Sequence, residues 1–420
     1  MLRPLYWSAL LPLMLAGLLL TRKKPRLTRY WLMLLSVAFL VWVQPALWYG
    51  TLLLAFLAWA LPRYAGRRGA LGYAVLSLAV LALFKLRHAD WPTGLSFVLL
   101  QGVAYGLDVT SGKAAPGTLS ETVTYLTFFP KLSAGPLAKF DAFRDELRQA
   151  GPRWETVEAG LALAIQGLAR KLLIADNLRP LALAVFTDSP HPLAGLLSLL
   201  TCALYVYHDF MGATDMARGV ALMAGVRLPE NFNRPFSALS LRDFWRRWHM
   251  SLSGFMRDYL YIPLGGSRKG RGRTVVNLLI VFLAMGLWHG FTVPFLLFGL
   301  WHGLLMALEH TGAVRPAAWS RPWARLYTLT MVFVSFVIFM APDAAGLARA
   351  FSLSYASWQQ VRLLLSPLTV GALALGVALP CLPKKTCPAW LRRAALLALL
   401  VICYAHLLAA GHSPLLYAQF

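Results

Sequence analysis

The stretch Val275-Val-Asn-Leu-Leu-Ile-Val-Phe-Leu-Ala-Met-Gly-Leu-Trp-His289-Gly290 decides how this chain is read. Between Val275 and Leu287 the only polar side chain is Asn277, and Arg268, Lys269, Arg271 and Arg273 stand just before the run. An apolar run with a basic flank is the pattern of a membrane-spanning helix. This one ends on an ionisable side chain, His289.

The same pattern recurs along the chain. Apolar runs fall near residues 5–20, 30–61, 70–86, 93–108, 118–135, 157–175, 193–208, 213–226, 274–289, 293–310, 323–341, 364–380 and 391–410. Of 420 residues, 58% are hydrophobic and 14% charged, and the mean hydropathy is +0.59. Soluble domains carry nearly twice that charged fraction. The net charge of +23, from 40 basic and 17 acidic residues, would suit a nucleic-acid partner if it formed one tract. It is instead cut into short clusters between apolar runs, which points to a lipid bilayer and away from nucleic acid. The chain is therefore an all-α polytopic membrane protein, long enough for roughly ten to twelve spans. It reads as a single integral domain over 1–420, with N-terminal helices in 1–90, a core in 91–310 and C-terminal helices in 311–420.

Several features refine this picture. The run 30–61 is long enough for two helices, with a break near Gln44-Pro45. Shorter runs suit re-entrant or interfacial segments, tolerated where protein covers their backbone. Gln166, Gly167, Arg170 and Lys171 interrupt 157–175, so it lies along the interface or faces the interior. The first run passes straight into Arg22, Lys23, Lys24 and Arg26 without a small-residue cleavage site, so it reads as a membrane segment and not a signal peptide. No internal repeat supports an inverted-repeat transporter. Cys202, Cys381, Cys387 and Cys403 form no zinc-type spacing and read as small buried residues.

The positive-inside rule puts Arg22–Arg26 in the cytoplasm and Met1 outside. Eight basic residues crowd into 242–273, which should also be cytoplasmic. Lys384, Lys385, Arg392 and Arg393 then place the C-terminal tail outside.

Chemistry concentrates in residues 205–310. Polar and ionisable residues at that density inside a membrane are costly and mark function. A neutral imidazole at His289, walled by Trp288 and flanked by Gly286 and Gly290, suits general acid–base work on a hydroxyl. The competing reading is a core histidine bonded to a backbone carbonyl. His249 ends Phe244-Trp-Arg-Arg-Trp-His249; on one helix, Trp245 would share a face with His249, and Asp243 with Arg247. The arginines there suit an interfacial anchor, and His302 a packing role. Asp209, Asp215 and Glu230 make no metal-ligand set with these histidines, and no nucleophile elbow or phosphate loop is present. Direct transfer between a donor and an acceptor fits better than a covalent acyl-enzyme.

The segments Pro229-Glu-Asn-Phe-Asn-Arg-Pro-Phe236, Phe244-Trp-Arg-Arg-Trp-His-Met-Ser-Leu-Ser253, Arg257-Asp-Tyr-Leu-Tyr-Ile-Pro-Leu-Gly-Gly266 and Gly286-Leu-Trp-His-Gly290 resemble the membrane-bound O-acyltransferase family. The bacterial alginate O-acetyltransferase branch is the nearest in these motifs. Phe128–Pro136, Lys171–Asn177 and Pro414–Phe420 are similar to that branch too. The Trp-His-Met-Ser-Leu-Ser string is shared with the teichoic-acid D-alanyl transfer branch. The resemblance implies a ring of about 11 (10–12) transmembrane helices plus short re-entrant or interfacial helices around a thin centre. It implies His289 as the signature histidine and His249 as the second, both catalytic. Trp245, Trp248, Trp288, Asn233, Arg246, Asp258 and Tyr259 then belong to the substrate channel. No bound cofactor or metal is implied. The acyl thioester, acetyl-CoA or an acyl carrier protein, is a substrate. The acceptor is a hydroxyl on an extracytoplasmic polysaccharide or on a relay partner, an SGNH-type esterase-fold or single-span protein. The implied setting is the bacterial inner membrane. D-alanyl transfer is the alternative within the family; a transporter or flippase of an acylated substrate, or a membrane scaffold, is the alternative outside it.

Overall fold

The computed structural model describes residues 2–86, 92–186, 192–352, 365–380 and 388–409, with 362 and 415. Cys381, Cys387, Lys384, Lys385 and all of Pro414–Phe420 except Leu415 lie outside the described residues. Helices dominate, and no strand occurs among the described residues. This is what an apolar medium demands, because a helix satisfies its own backbone hydrogen bonds. Among the described residues, seven helices are long and apolar enough to cross a membrane, and Tyr6–Thr21, Leu95–Thr110 and Pro367–Ala378 are shorter apolar ones. The expected count of about eleven is not confirmed. Large apolar side chains such as Val75, Leu78 and Leu397 stand open on helix surfaces, as a lipid-facing surface would have them.

In chain order the helices are α1 (Leu11–Thr21), α2 (Pro25–Val43), α3 (Trp48–Leu86), α4 (Leu95–Thr110), α5 (Leu119–Thr127), α6 (Phe129–Leu132), α7 (Phe140–Arg148), α8 (Trp154–Ala169), α9 (Asp176–Ala184) and α10 (Pro192–Met223). They continue with α11 (Leu241–Trp245), α12 (Met250–Met256), α13 (Arg271–His289), α14 (Val293–Thr311), α15 (Arg321–Met340), α16 (Ala344–Phe351), α17 (Pro367–Ala378) and α18 (Ala389–Leu408). The break expected near Gln44-Pro45 is present, between α2 and α3. The helix of residues 70–86 is joined to the preceding one in α3, which kinks at Gly66 with φ 55°. The 118–135 run divides into α5 and α6, each too short for a crossing. Runs 193–208 and 213–226, expected apart, form the single helix α10. The polar residues that separate them in sequence are partnered inside the fold, so the helix has no reason to stop.

The chain forms two compact units. The first comprises Met1–Ala169, Gly212–Pro229 and Ala389–Phe420. In it α3 packs on α4, α2 on α5, and α18 on α8. At Gly160 of α8 a Cβ would lie 2.5 Å from the Gly219 carbonyl oxygen, so the two backbones touch. Glu158 of α8 holds Arg393 at 2.9 Å and Arg392 at 3.1 Å. The second unit comprises Arg170–Met211 and Glu230–Pro388. It contains the α13–α14–α15 series of packed helices, and α17 packs on α9 and on the π-helical turn Arg170–Ala175.

In the first unit, α5 starts with a capping box. Thr118 accepts the Glu121 amide, while the Glu121 carboxylate accepts the Thr118 amide. Arg148 lies 2.9 Å from that carboxylate and Arg29 3.5 Å. Burial alone would raise the Glu121 pKa, but the bonds from Thr118 and Arg148 outweigh it and hold the carboxyl below its ordinary value. A depressed folded pKa contributes stability in full above the unfolded carboxyl value, and that contribution fades as pH falls through the folded value. Thermal unfolding of the detergent-purified protein should therefore show an acid-side loss that is smaller in Glu121→Gln. Identical acid-side slopes for the two proteins would refute this.

Candidate active site

His289 is the last residue of α13, and its ring is 4% exposed. Phe339 meets it edge-on at 4.8 Å and Phe295 lies nearly parallel at 5.8 Å. Trp288 stands 4.7 Å from it. The flanking glycines Gly286 and Gly290 leave no open space beside the ring. A Cβ on Gly286 would fall onto the Phe295 carbonyl oxygen, and one on Gly290 would lie 2.7 Å from the Phe295 ring. A Cβ on Gly299 would stand 2.6 Å from the Phe282 carbonyl oxygen. The glycines let α13 and α14 pack backbone to backbone, and Phe295 fills the space beside the imidazole.

His249 does not lie on a helix with Trp245. Helix α11 ends at Trp245, and His249 precedes α12 with φ 40°. The left-handed region is costly for a side-chain-bearing residue and needs support from its surroundings. Asn231 supplies it. Its carbonyl oxygen accepts the Met250 amide at 3.0 Å, and its side-chain oxygen accepts the Ser251 amide at 3.2 Å. The His249 ring is 2% exposed and lies edge-on to Phe210 at 4.6 Å. Burial pushes its imidazole down to about 3, so it is neutral through the physiological range. Trp288 lies 6.5 Å from His249, so one indole neighbours both imidazoles.

The other expected residues divide into two groups. Trp245 is buried, and its Nε1 donates to His302 Nδ1 at 3.3 Å. Trp248 stacks with Phe244 at 5.5 Å and meets Phe232 and Phe336 at 4.9 Å each. These two and Trp288 belong to the aromatic cluster around the histidines. Asn233 and Arg246 are exposed. The Asn233 amide donates to the Arg247 carbonyl at 2.9 Å, and Arg247 pairs with Asp243 at 2.8 Å. Asp258 and Tyr259 sit on the π-helical turn Arg257–Tyr261, where Asp258 pairs with Arg257 at 2.8 Å and Tyr259 packs on Phe255.

Sequence reasoning missed Asn231, Phe210 and Phe339. It also missed a buried ion network. Lys171 has no exposure; its Nζ lies 2.6 Å from Asp209 and 2.8 Å from Asp176. His208, the neighbour of Asp209, bonds the Gly376 carbonyl at 3.0 Å. The next residue, Phe210, is the one that faces His249. Lys171 is thus an interior residue.

Residues 118–350 match the MBOAT, membrane-bound O-acyltransferase family. The chain belongs to this family. Among its relatives, a probable alginate O-acetylase AlgI of Pseudomonas aeruginosa is 36% identical over 300 residues, covering 70% of this chain and 58% of that one. A peptidoglycan O-acetyltransferase of Helicobacter pylori is 34% identical over 238 residues, 49% of this chain and 45% of that one. A teichoic acid D-alanyltransferase of Bacillus subtilis is 29% identical over 210 residues, 47% of this chain and 53% of that one. The chain spans less than two-thirds of the length of these relatives.

Removing the Asn231 side chain takes away the acceptor of the part-buried Ser251 amide in the first turn of α12. Asn231→Ala should cost about 0.5–2 kcal/mol, as the loss of a side-chain cap of a helix first turn does. A lowered thermal midpoint in detergent is the expected result, and an unchanged midpoint would show that the His249 turn holds itself.

Proposed function

We propose that this chain is a membrane O-acyltransferase that moves an acetyl group from a cytoplasmic thioester to a hydroxyl beyond the membrane. The observation that carries the proposal is that His289 and His249 come from separate segments yet share one indole, Trp288, inside a buried aromatic cluster. An environment poor in water suits thioester chemistry, because hydrolysis competes with transfer. In the proposed reaction the acceptor oxygen attacks the thioester carbonyl as His289 takes the hydroxyl proton. The C–O bond forms, the C–S bond breaks, and the imidazolium returns its proton to the departing thiolate. His249, neutral and fixed by its turn, lines the donor side. The basic segment 242–273 draws in an anionic donor, coenzyme A or a carrier-protein thioester.

Acetyl is favoured over D-alanyl by the relatives. The O-acetylase covers 70% of this chain at 36% identity, the D-alanyltransferase 47% at 29%. The acceptor proposed is an alginate-like, cellulose-like or peptidoglycan polymer, reached directly or through an esterase-fold or single-span relay partner. The setting proposed is a bacterial cytoplasmic membrane, with Met1 outside and the 242–273 segment inside.

Loss of a general base typically lowers a rate about 10²–10⁴-fold. His289→Ala should lose that much acetyl transfer while remaining inserted and monodisperse. Near-normal activity would overturn the assignment. For His249 the informative variant is His249→Asn, since asparagine accepts the left-handed backbone. It should keep the thermal midpoint and lose transfer; retained transfer would remove His249 from the chemistry. Release of free thiol from acetyl-coenzyme A by the purified protein with an acceptor separates transfer from transport, which cleaves no thioester.

A further inference from the structure

The start of α15 carries a surface that the acyl-transfer reading does not use. Trp319 is 42% exposed and Trp323 66% exposed. With Tyr327 and Met331 they line an open groove of about 570 Å³. An adjoining groove of about 640 Å³ is lined by Arg321, Arg325 and Leu329, and Leu326 borders both. Among the described residues neither Arg321 nor Arg325 pairs with a carboxylate. The Tyr327 hydroxyl is enclosed and has no hydrogen-bond partner among them. No side chain caps the first turn of α15, so its positive end is unanswered.

The position in the fold narrows the occupant. Helix α15 packs on α14, and α14 on α13. Near the end of α14, Glu309 accepts the Leu241 amide at 2.8 Å and the Arg242 amide at 3.2 Å. The start of α15 therefore lies at the end of this series that carries the basic segment beginning at Arg242. Tryptophan and tyrosine beside arginine at the end of an apolar helix belong at headgroup depth. Two unpaired guanidinium groups and a helix N-terminus call for an anion, and the aromatic groove beside them calls for an apolar body attached to it. A soluble phosphorylated molecule would answer the first demand and leave the second.

We propose that this surface binds one anionic phospholipid. Its phosphate sits by Arg321, Arg325 and the first turn of α15, and its glycerol and upper acyl chain lie against Trp319, Trp323 and Tyr327. The proposal rests on the membrane reading alone and stands whether or not His289 is catalytic.

Native mass spectrometry of the full chain in detergent, titrated with phosphatidylglycerol or phosphatidylcholine, tests it. Phosphatidylglycerol should bind more tightly. Each arginine near a headgroup contributes about fivefold, so R321Q/R325Q should weaken phosphatidylglycerol binding by at least that and leave phosphatidylcholine unchanged. Equal affinity for the two lipids, unchanged binding in the double variant, or displacement of the lipid by free coenzyme A would each overturn the proposal. A second measurement needs no charge variant. Brominated phosphatidylglycerol should quench the part of the emission that W323F removes more strongly than brominated phosphatidylcholine does, and equal quenching would also overturn it.

Discussion

A charge taken out of water must find its counter-charge within the protein. Lys171 and Asp209 have no exposure at all, and only 2.6 Å separates them. Their pairing lets α10 run unbroken from Pro192 to Met223 through Tyr207-His-Asp-Phe210. Without it, Asp209 would lose its 2.6 Å partner in the most enclosed of the long helices. The bridge also fixes the face that α10 presents. His208 is set against the Gly376 carbonyl and Phe210 against the His249 ring. The candidate site thus depends on an ion pair one residue away from its aromatic wall.

Two different supports hold the two histidines. His289 is held by a helix end and by glycines that bring α14 against α13. His249 is held by a strained turn whose next two amides, Met250 and Ser251, both bond Asn231. Trp288 is the neighbour they share, so a shift in either support reaches the same indole. This arrangement tolerates little repacking, since aromatic rings surround both imidazoles.

Much of the architecture was legible in the sequence because lipid enforces a simple rule. Runs such as 293–310 and 323–341 reappear within a few residues as α14 and α15. The rule fails where polar residues are satisfied internally: α10 looks like two segments only because the partners of His208 and Asp209 are remote in sequence. The site was legible as a list of residue types and less so as geometry. His289 and the three tryptophans share one aromatic cluster. Asn231 does the holding and Asn233 does not, yet both stand in Glu-Asn-Phe-Asn and nothing local distinguishes them. The left-handed backbone at His249 has no local signature either, since it is imposed by the chain that clamps it.

The composition of the first compact unit bears on how the protein is made. That unit takes in the first 169 residues, a short central piece and the helix Ala389–Leu408. Translation delivers these pieces far apart in time. Glu158 leaves the ribosome long before Arg392 and Arg393, the two residues that hold it in the finished protein. Until then the face of α8 that receives α18 stays uncovered in the nascent chain. Early-made helices must wait, inserted but unfinished, for the late ones, and a product truncated before Ala389 would leave both units of the membrane protein present but only one of them whole.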